Sequence, residues 1–221
     1  MRTPALIIAL TAGVAFAGPG LPPASPFTET FDLGGENWAQ GSGAAVDWNA
    51  GAVSSTADVN SAGMFGLTLF RAQDDLDSSN DSFVGDYLAG GITTVSFDVL
   101  QDSGQDLTFG LRVATSLNNP AFAMLTPTVV SSGAWTTLSF DLDFNSPFFF
   151  AEGPPGSEEA IFNAVMPAVG NLQISVNRPD GLSTPLVTTF SVDNFAIATP
   201  SPAGIALLGL GGLIGVRRRR A

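Results

Sequence analysis

The sequence predicts an all-β fold built as a two-sheet sandwich, and three observations support this. Short runs alternate between polar and apolar residues, as residues 94–99 and 136–142 do, which is typical of strands with one buried face. Gly, Pro, Asn, Asp and Ser cluster between these runs and indicate turns. Helical periodicity is confined to one short segment. Many short strands separated by turns are typical of a sandwich.

The N-terminus predicts a signal peptide over residues 1–17. Arg2 supplies a positive start, residues 5–16 form a short apolar stretch, and residues 15–17 read as an A-x-A cleavage site. A buried N-terminal helix is the alternative. Residues 18–26 are rich in Pro and Gly, so we expect them to form a flexible start of the mature chain.

Residues 27–198 are expected to form one sandwich domain. Nine strands are predicted, at residues 27–31, 44–48, 64–70, 93–100, 106–114, 126–130, 134–142, 171–177 and 188–197. One helix is predicted at residues 157–165, because Ser157 can cap it and Glu158 and Glu159 complement its N-terminal dipole.

The charge balance and the missing residue types exclude several functions. Three Arg and all 20 acidic residues lie within the sandwich domain, and three positive against 20 negative charges leave it near −17. Such a domain repels nucleic acid, whereas neutral glycans and cations suit it; an acidic surface that serves solubility is the alternative. Because the chain has neither Cys nor His, disulfides, Cys-His or Ser-His-Asp catalysis and His- or Cys-ligated zinc are excluded.

Residues 199–221 predict a membrane-directed C-terminal segment. Its three parts are Pro200, Ser201 and Pro202, then the uncharged apolar run of residues 203–216, then Arg217, Arg218, Arg219 and Arg220. The run is shorter than the ~20 residues of a usual span, but Arg side chains can snorkel and extend it. The positive-inside rule would keep the Arg cluster cytoplasmic. We therefore predict a C-terminal transmembrane helix with the sandwich domain outside.

The order of these three parts resembles the PEP-CTERM sorting signal of exosortase substrates. Ser201 stands where that signal usually has Glu, which leaves open which sorting enzyme would read it. The resemblance implies a Gram-negative-type bacterium and a membrane sorting protease of the exosortase type as a partner, after signal peptidase has acted. It also implies delivery to the cell surface or to an exopolysaccharide matrix.

The two ends of the domain resemble jelly-roll carbohydrate-binding modules of the galactose-binding-like kind. Residues 28–32 and Asn37-Trp38 open the domain, and Asp193-Asn194 precede an apolar strand end at its close. The resemblance implies a jelly-roll sandwich with a structural calcium between the first and last strands. Glu29 and Asp193 are the candidate ligands. The alternative for Asp193 is a strand-edge residue that bonds local backbone.

Residues 74–81 form the densest acidic segment and suggest a second calcium site. The candidate ligands in it and after it are Asp75, Asp77, Ser79, Asp81 and Asp86. Oxygen ligands at alternate positions loosely match a calcium loop, although Asn80 stands where the sharp turn would need Gly. A solvated acidic loop is the alternative.

Large aromatic side chains are the candidate glycan contacts, because sugars stack on exposed rings. We predict Trp48 and Trp38 for this role, with Trp48 better placed at a rim; core packing is the alternative for both. Trp135 is expected to be packed. The three Phe of residues 148–150 are expected to form a loop that covers the edge of the sandwich.

These features predict a non-catalytic, exported surface or matrix protein with a structural or glycan-contacting sandwich. One alternative is a carbohydrate-binding module with a defined ligand. Another is a hydrolase that uses paired carboxylates, such as Asp141 with Asp143 or Glu158 with Glu159. Neither pair lies in a recognisable sequence context, so we predict no enzyme.

Overall fold

The computed structural model describes residues 21–61, 66–179 and 184–200. The predicted signal peptide and the part of the sorting signal beyond Pro200 lie outside these residues. Within them the chain forms twelve strands and two α-helices. The strands are β1 (Phe27–Glu29), β2 (Ala39–Gln40), β3 (Asp47–Asn49), β4 (Ala52–Asp58), β5 (Leu67–Gln73), β6 (Thr94–Gln101), β7 (Leu107–Thr115), β8 (Ala121–Val130), β9 (Thr136–Asp141), β10 (Phe149–Ala151), β11 (Val169–Val176) and β12 (Val187–Ala198). The helices are α1 (Tyr87–Gly90) and α2 (Glu158–Val165).

The strands pair into two antiparallel sheets. The first sheet has the order β3-β4-β12-β6-β9, and β1 pairs with the end of β12. The second sheet has the order β10-β8-β7-β11-β5-β2. No helix in the described ranges has the length and apolar character that a membrane crossing requires.

The strand order is that of a jelly roll. The chain passes between the sheets so that β4, β12, β6 and β9 of the first sheet face β5, β11, β7 and β8 of the second. Eight strands in these two interleaved four-stranded orders form two Greek keys, which is the jelly-roll arrangement. The predicted all-β sandwich of jelly-roll type is therefore confirmed.

The core lies between the sheets and is dominated by aromatic rings. The alternating sequence of β6 places Val95, Phe97 and Val99 on the buried face, as the pattern predicts. The Phe195 ring lies 4.9 Å from the rings of both Trp38 and Phe83, and 5.8 Å from Phe97, between centroids. These edge and stacked contacts bind β12 and β6 to the segments that precede β2 and α1.

Three strands were not predicted, and two local expectations need correction. The missed strands are β2, β4 and β10; the nine predicted strands overlap the other nine. Residues 148–150 do not form a covering loop, because Phe149 and Phe150 belong to the edge strand β10 and Phe148 immediately precedes it. Phe149 is buried against Phe122 and Phe162, while Phe148 and Phe150 are exposed. Helix α2 forms as predicted, but Ser157 Oγ donates to the Pro154 carbonyl instead of capping the helix.

We expect Phe195→Ala to be strongly destabilising, because it opens a cavity at the centre of the aromatic cluster. Removing a buried Phe side chain typically costs about 3–5 kcal/mol. Urea unfolding followed by circular dichroism measures the free energy of unfolding. Leu33→Ala is the matched control, since Leu33 is 92% exposed and its truncation should change stability little. Equal effects of the two changes would contradict this core.

Candidate functional site

The outer face of the second sheet carries an unusual set of buried polar side chains. Leu172, Ile174 and Val176 of β11 face the core, so Asn171, Gln173 and Ser175 point to the opposite side. All three polar residues are nonetheless buried, and Gln173 is only 6% exposed. Burial of amide groups is costly unless they are hydrogen-bonded, so this face must hold them in a network.

One row of side chains crosses this outer face from edge to edge. The register places Phe150 beside Ala123, Ala123 beside Arg112, Arg112 beside Gln173, and Gln173 beside Arg71. We call these five residues the cross-strand row. With strands about 4.8 Å apart, the row is about 19 Å long. Ala123 is the small member of the row and is itself buried, at 4% exposure.

Arg112 is the centre of the hydrogen-bond network. Its Nε and one Nη donate to the two carboxylate oxygens of Glu152 at 2.5 and 2.8 Å, and it also donates to Asn118 Oδ1 at 2.6 Å. Gln173 Nε2 donates to the same Asn118 oxygen at 3.1 Å. Charge-assisted and bidentate bonds of this kind are strong and fix orientation. The polar groups of the row are therefore held in place before any ligand arrives.

A groove runs beside the Phe150 end of the row. It has a volume of about 640 Å³ and is lined in part by Leu125, Phe150, Glu152 and Glu158. Phe150 is 42% exposed, so part of its ring faces solvent. The groove thus joins an exposed aromatic face to two carboxylates, one of which Arg112 holds rigidly. This combination suits a ligand that has both hydroxyl groups and apolar C–H faces.

The predicted aromatic contacts are placed differently from one another. Trp38 is only 2% exposed and donates through Nε1 to Ser79 Oγ, so it belongs to the core and offers no face to a sugar. Trp48 on the edge strand β3 is 47% exposed, with Nε1 donating to the Phe31 carbonyl at 2.6 Å. Trp135 was expected to be packed but is 48% exposed. Neither exposed Trp lies on the second sheet.

The predicted calcium ligands after β5 do not form one ligand set. Residues 74–81 fold into two short 3-10 turns instead of an open loop. Ser79 is buried beneath Trp38, and the Asp86 carboxylate accepts a hydrogen bond from the Ala89 N–H as the cap of α1. Burial, together with the charges of Asp77 and Asp74, raises the pKa of Asp81. Asp75 and Asp77 lie exposed on the surface.

In the second predicted pair, Glu29 and Asp193 each bind a different part of the local backbone. The Glu29 carboxylate accepts from the Phe31 N–H at 3.0 Å, whereas Asp193 lies in a bulge of β12 opposite Asp98. Asp193 accepts from the Asn194 N–H, as the local-backbone alternative expected. No group of three acidic side chains in the described part of the chain is arranged to hold a metal ion. Glu29 and Asp193 thus each accept a local backbone hydrogen bond, and calcium binding stays a prediction of the sequence.

The sequence did not reveal the residues that make up the outer-face site. Arg112 and Glu152 are separated by 40 positions, and Gln173 lies 55 positions from its partner Asn118. The one available signal was polar residues at alternate positions of an otherwise apolar strand, namely Asn171, Gln173 and Ser175. That pattern predicts a strand with one polar face, but not that the polar face is buried.

The chain has distant likenesses among solved structures. The L4b domain of human laminin alpha-2 is 8% identical, with a TM-score of 0.44 over 80% of this chain and 99% of that one. A family 11 carbohydrate-binding module from Clostridium thermocellum, in complex with a mixed-linked tetrasaccharide, is 16% identical, with a TM-score of 0.41 over 80% of this chain and 96% of that one. An agarase is 11% identical, with a TM-score of 0.48, and this chain covers 25% of it.

No protein-family model and no curated protein sequence matches the chain. Several of the structural likenesses are carbohydrate-binding modules, but all three TM-scores given above are below 0.5. The jelly-roll assignment therefore rests on the strand order of this chain.

We expect Asp193→Asn and Asp102→Asn to change stability in opposite directions at pH 7. Burial, with added repulsion from Asp98 and Asp32, raises the pKa of Asp193 despite its bond from Asn194. Hydrogen bonds from the Thr188 hydroxyl and the Thr189 N–H lower the pKa of Asp102. A raised folded-state pKa means that stability is lost as pH rises above about 4, whereas a lowered one means that stability is lost as pH falls below about 4.

The melting temperature measured between pH 2 and pH 7 tests both signs. At pH 7, Asp193→Asn should melt above the wild type and Asp102→Asn below it, and both differences should shrink on acidification. A fall in melting temperature for Asp193→Asn at pH 7 would contradict repulsion at this carboxylate.

Proposed function

We propose that this protein is an exported, non-catalytic carbohydrate-binding protein whose glycan site is the outer face of the second sheet. The observation that carries the proposal is the cross-strand row with its groove. It joins an exposed aromatic ring to guanidinium, amide and carboxylate groups that are already fixed by hydrogen bonds.

The chemistry of the row matches that of a saccharide. Sugar hydroxyls need donors and acceptors in fixed directions, which the partly exposed Arg112 and Glu152 side chains supply. The C–H face of a sugar ring needs an apolar partner, which Phe150 supplies. Pre-organised polar groups lose little conformational entropy on binding, so more of the contact energy appears as affinity.

The arrangement of the carboxylates supports binding rather than hydrolysis. Glycoside hydrolysis usually requires two carboxyl groups on either side of the bond, one of them able to donate a proton. Both carboxylate oxygens of Glu152 are engaged by the Arg112 guanidinium, which fixes the orientation of this group. Glu158 lies in the first turn of α2 and accepts a hydrogen bond from the Gly156 N–H at 3.3 Å, so the chain itself also engages the second carboxylate.

Phe150→Ala should weaken polysaccharide binding by about tenfold or more, as removal of a central aromatic anchor usually does. A panel of soluble polysaccharides in affinity gel electrophoresis measures the change, and circular dichroism checks the fold. Trp135→Ala is the matched control, because it removes a similarly exposed aromatic side chain beside β9 of the first sheet.

Two outcomes of that experiment would contradict the proposal. Absence of binding to every polysaccharide would exclude a glycan-binding function. Loss of binding in Trp48→Ala, with none in Phe150→Ala, would move the site to β3 and refute the outer face.

We also propose that the protein is exported and then sorted through its C-terminal segment. Support comes from the signal-peptide pattern of residues 1–17 and from the Pro-Ser-Pro, apolar and Arg parts of residues 199–221. A sorting protease of the exosortase type would release the domain to the surface or matrix. A carbohydrate-binding domain delivered there would meet its ligand in the surrounding polysaccharide.

Mass spectrometry of the surface-released protein tests this route. We expect the mature chain to begin at Gly18 and to lack the Arg cluster at residues 217–220. Recovery of a chain that retains both ends would contradict export and sorting.

Calcium binding stays a prediction of the sequence. Its candidate ligands at the first and last strands are Glu29 and Asp193. Asp193 faces Asp98 across β6 and β12, so a cation bound at Asp193 would relieve repulsion between these two carboxylates. We expect millimolar calcium to raise the melting temperature of EDTA-treated wild-type protein but not of Asp193→Asn. An unchanged melting temperature of the wild type would refute the prediction.

A further inference from the structure

A second cleft, at the far end of the cross-strand row, differs in charge from the rest of the domain. It has a volume of about 420 Å³ and lies where β4 approaches β5 and the turn after β2. Arg71 lines it, and none of its lining residues is acidic. Two other clefts among the described residues contain Glu152 and Glu158 in one case, and Glu29, Asp32 and Glu36 in the other. In a domain near −17, this cleft has one cation and no carboxylate.

Arg71 is incompletely paired within the described residues. One Nη donates to the Gly41 carbonyl at 2.5 Å, but the Nε–H is buried and has no hydrogen-bond partner. No described carboxylate lies within salt-bridge distance of its guanidinium, whereas Arg112 has Glu152. Because a buried donor without a partner costs free energy, the cleft is set up for an acceptor that is supplied from outside.

The Arg71 guanidinium favours a carboxylate as that acceptor. Guanidinium groups bind carboxylates through two parallel N–H donors, and Nε with an Nη is one such pair. Beside the apolar side chains of Ala57 and Leu67, the lining also offers hydroxyl and amide groups from Gln40, Ser42, Ser55 and Thr68. These groups suit a hydroxylated ligand better than the apolar side chains of a peptide. The volume lies within the ~300–1,000 Å³ that small-molecule sites usually have.

We propose that the Arg71 cleft is a subsite for the carboxylate of a uronic acid residue in an otherwise neutral glycan. This proposal rests on the proposed function, because it names the charged end of a glycan that lies along the cross-strand row. The acidic surface repels a polymer that is charged at every residue, so the carboxylates must be isolated among neutral sugars. One guanidinium then recognises one carboxylate.

The test uses nuclear magnetic resonance of the full chain labelled with nitrogen-15 and follows the Nε–Hε signal of Arg71. The Arg71→Lys variant identifies that signal by its loss. A disaccharide of one galacturonic acid and one galactose is titrated beside the neutral galactose disaccharide, acetate and a Gly-Glu dipeptide. We expect the charged disaccharide to shift the signal and to saturate at a concentration at least about tenfold lower than each of the other three probes, a difference of about 1.4 kcal/mol. Arg71→Gln should bind the charged and neutral disaccharides equally in calorimetry.

The outcomes separate this proposal from the glycan face itself. Equal response to the charged and neutral disaccharides would overturn the carboxylate subsite, while polysaccharide binding that depends on Phe150 would still support the face. A tighter response to Gly-Glu would assign the cleft to peptides and overturn the proposal, as would equal binding of acetate. The wild-type titration decides the question even if Arg71→Gln fails to fold.

Discussion

The structure depends on β11 being buried on both of its faces. Toward the core, its Leu, Ile and Val side chains pack between the sheets. On the opposite side, the buried Asn171 and Gln173 donate to Asn118 Oδ1, and the buried Ser175 donates to the Gly110 carbonyl. Without Cys, no disulfide can hold the sandwich together, so this double burial keeps the second sheet continuous. The polar half of the strand has to satisfy its own hydrogen bonds, and in doing so it builds the ordered outer face.

The sequence predicted the elements whose pattern is local. β6 and β9 alternate cleanly, and the helix α2 has its acidic residues at the N-terminus, so both kinds of element could be inferred residue by residue. β4 was missed because Ala, Ser and Thr dominate it and only Val53 is a large apolar residue. β10 was missed because its three residues gain strand geometry only by pairing with β8.

The candidate site could not be predicted in the same way, because it is a product of register. Nothing in the sequence near Arg112 indicates Glu152 or Asn118 as its partners, and nothing near Phe150 indicates that it shares a row with Arg71. The aromatic prediction shows the same limit: Trp38 and Trp48 look alike in sequence, yet one is enclosed by Phe31, Phe83 and Phe195 while the other sits on an edge strand. Burial is decided by strand order, which only the fold specifies.

The most direct test of the outer face as a ligand surface is amide hydrogen exchange of the whole protein, with and without a polysaccharide that it binds. If a glycan lies along the cross-strand row, exchange should slow in residues 116–119 and 148–153, which border the row, and stay unchanged in β3 and in the turn before β9. Slower exchange confined to β3 or to the edge of the first sheet would contradict the account.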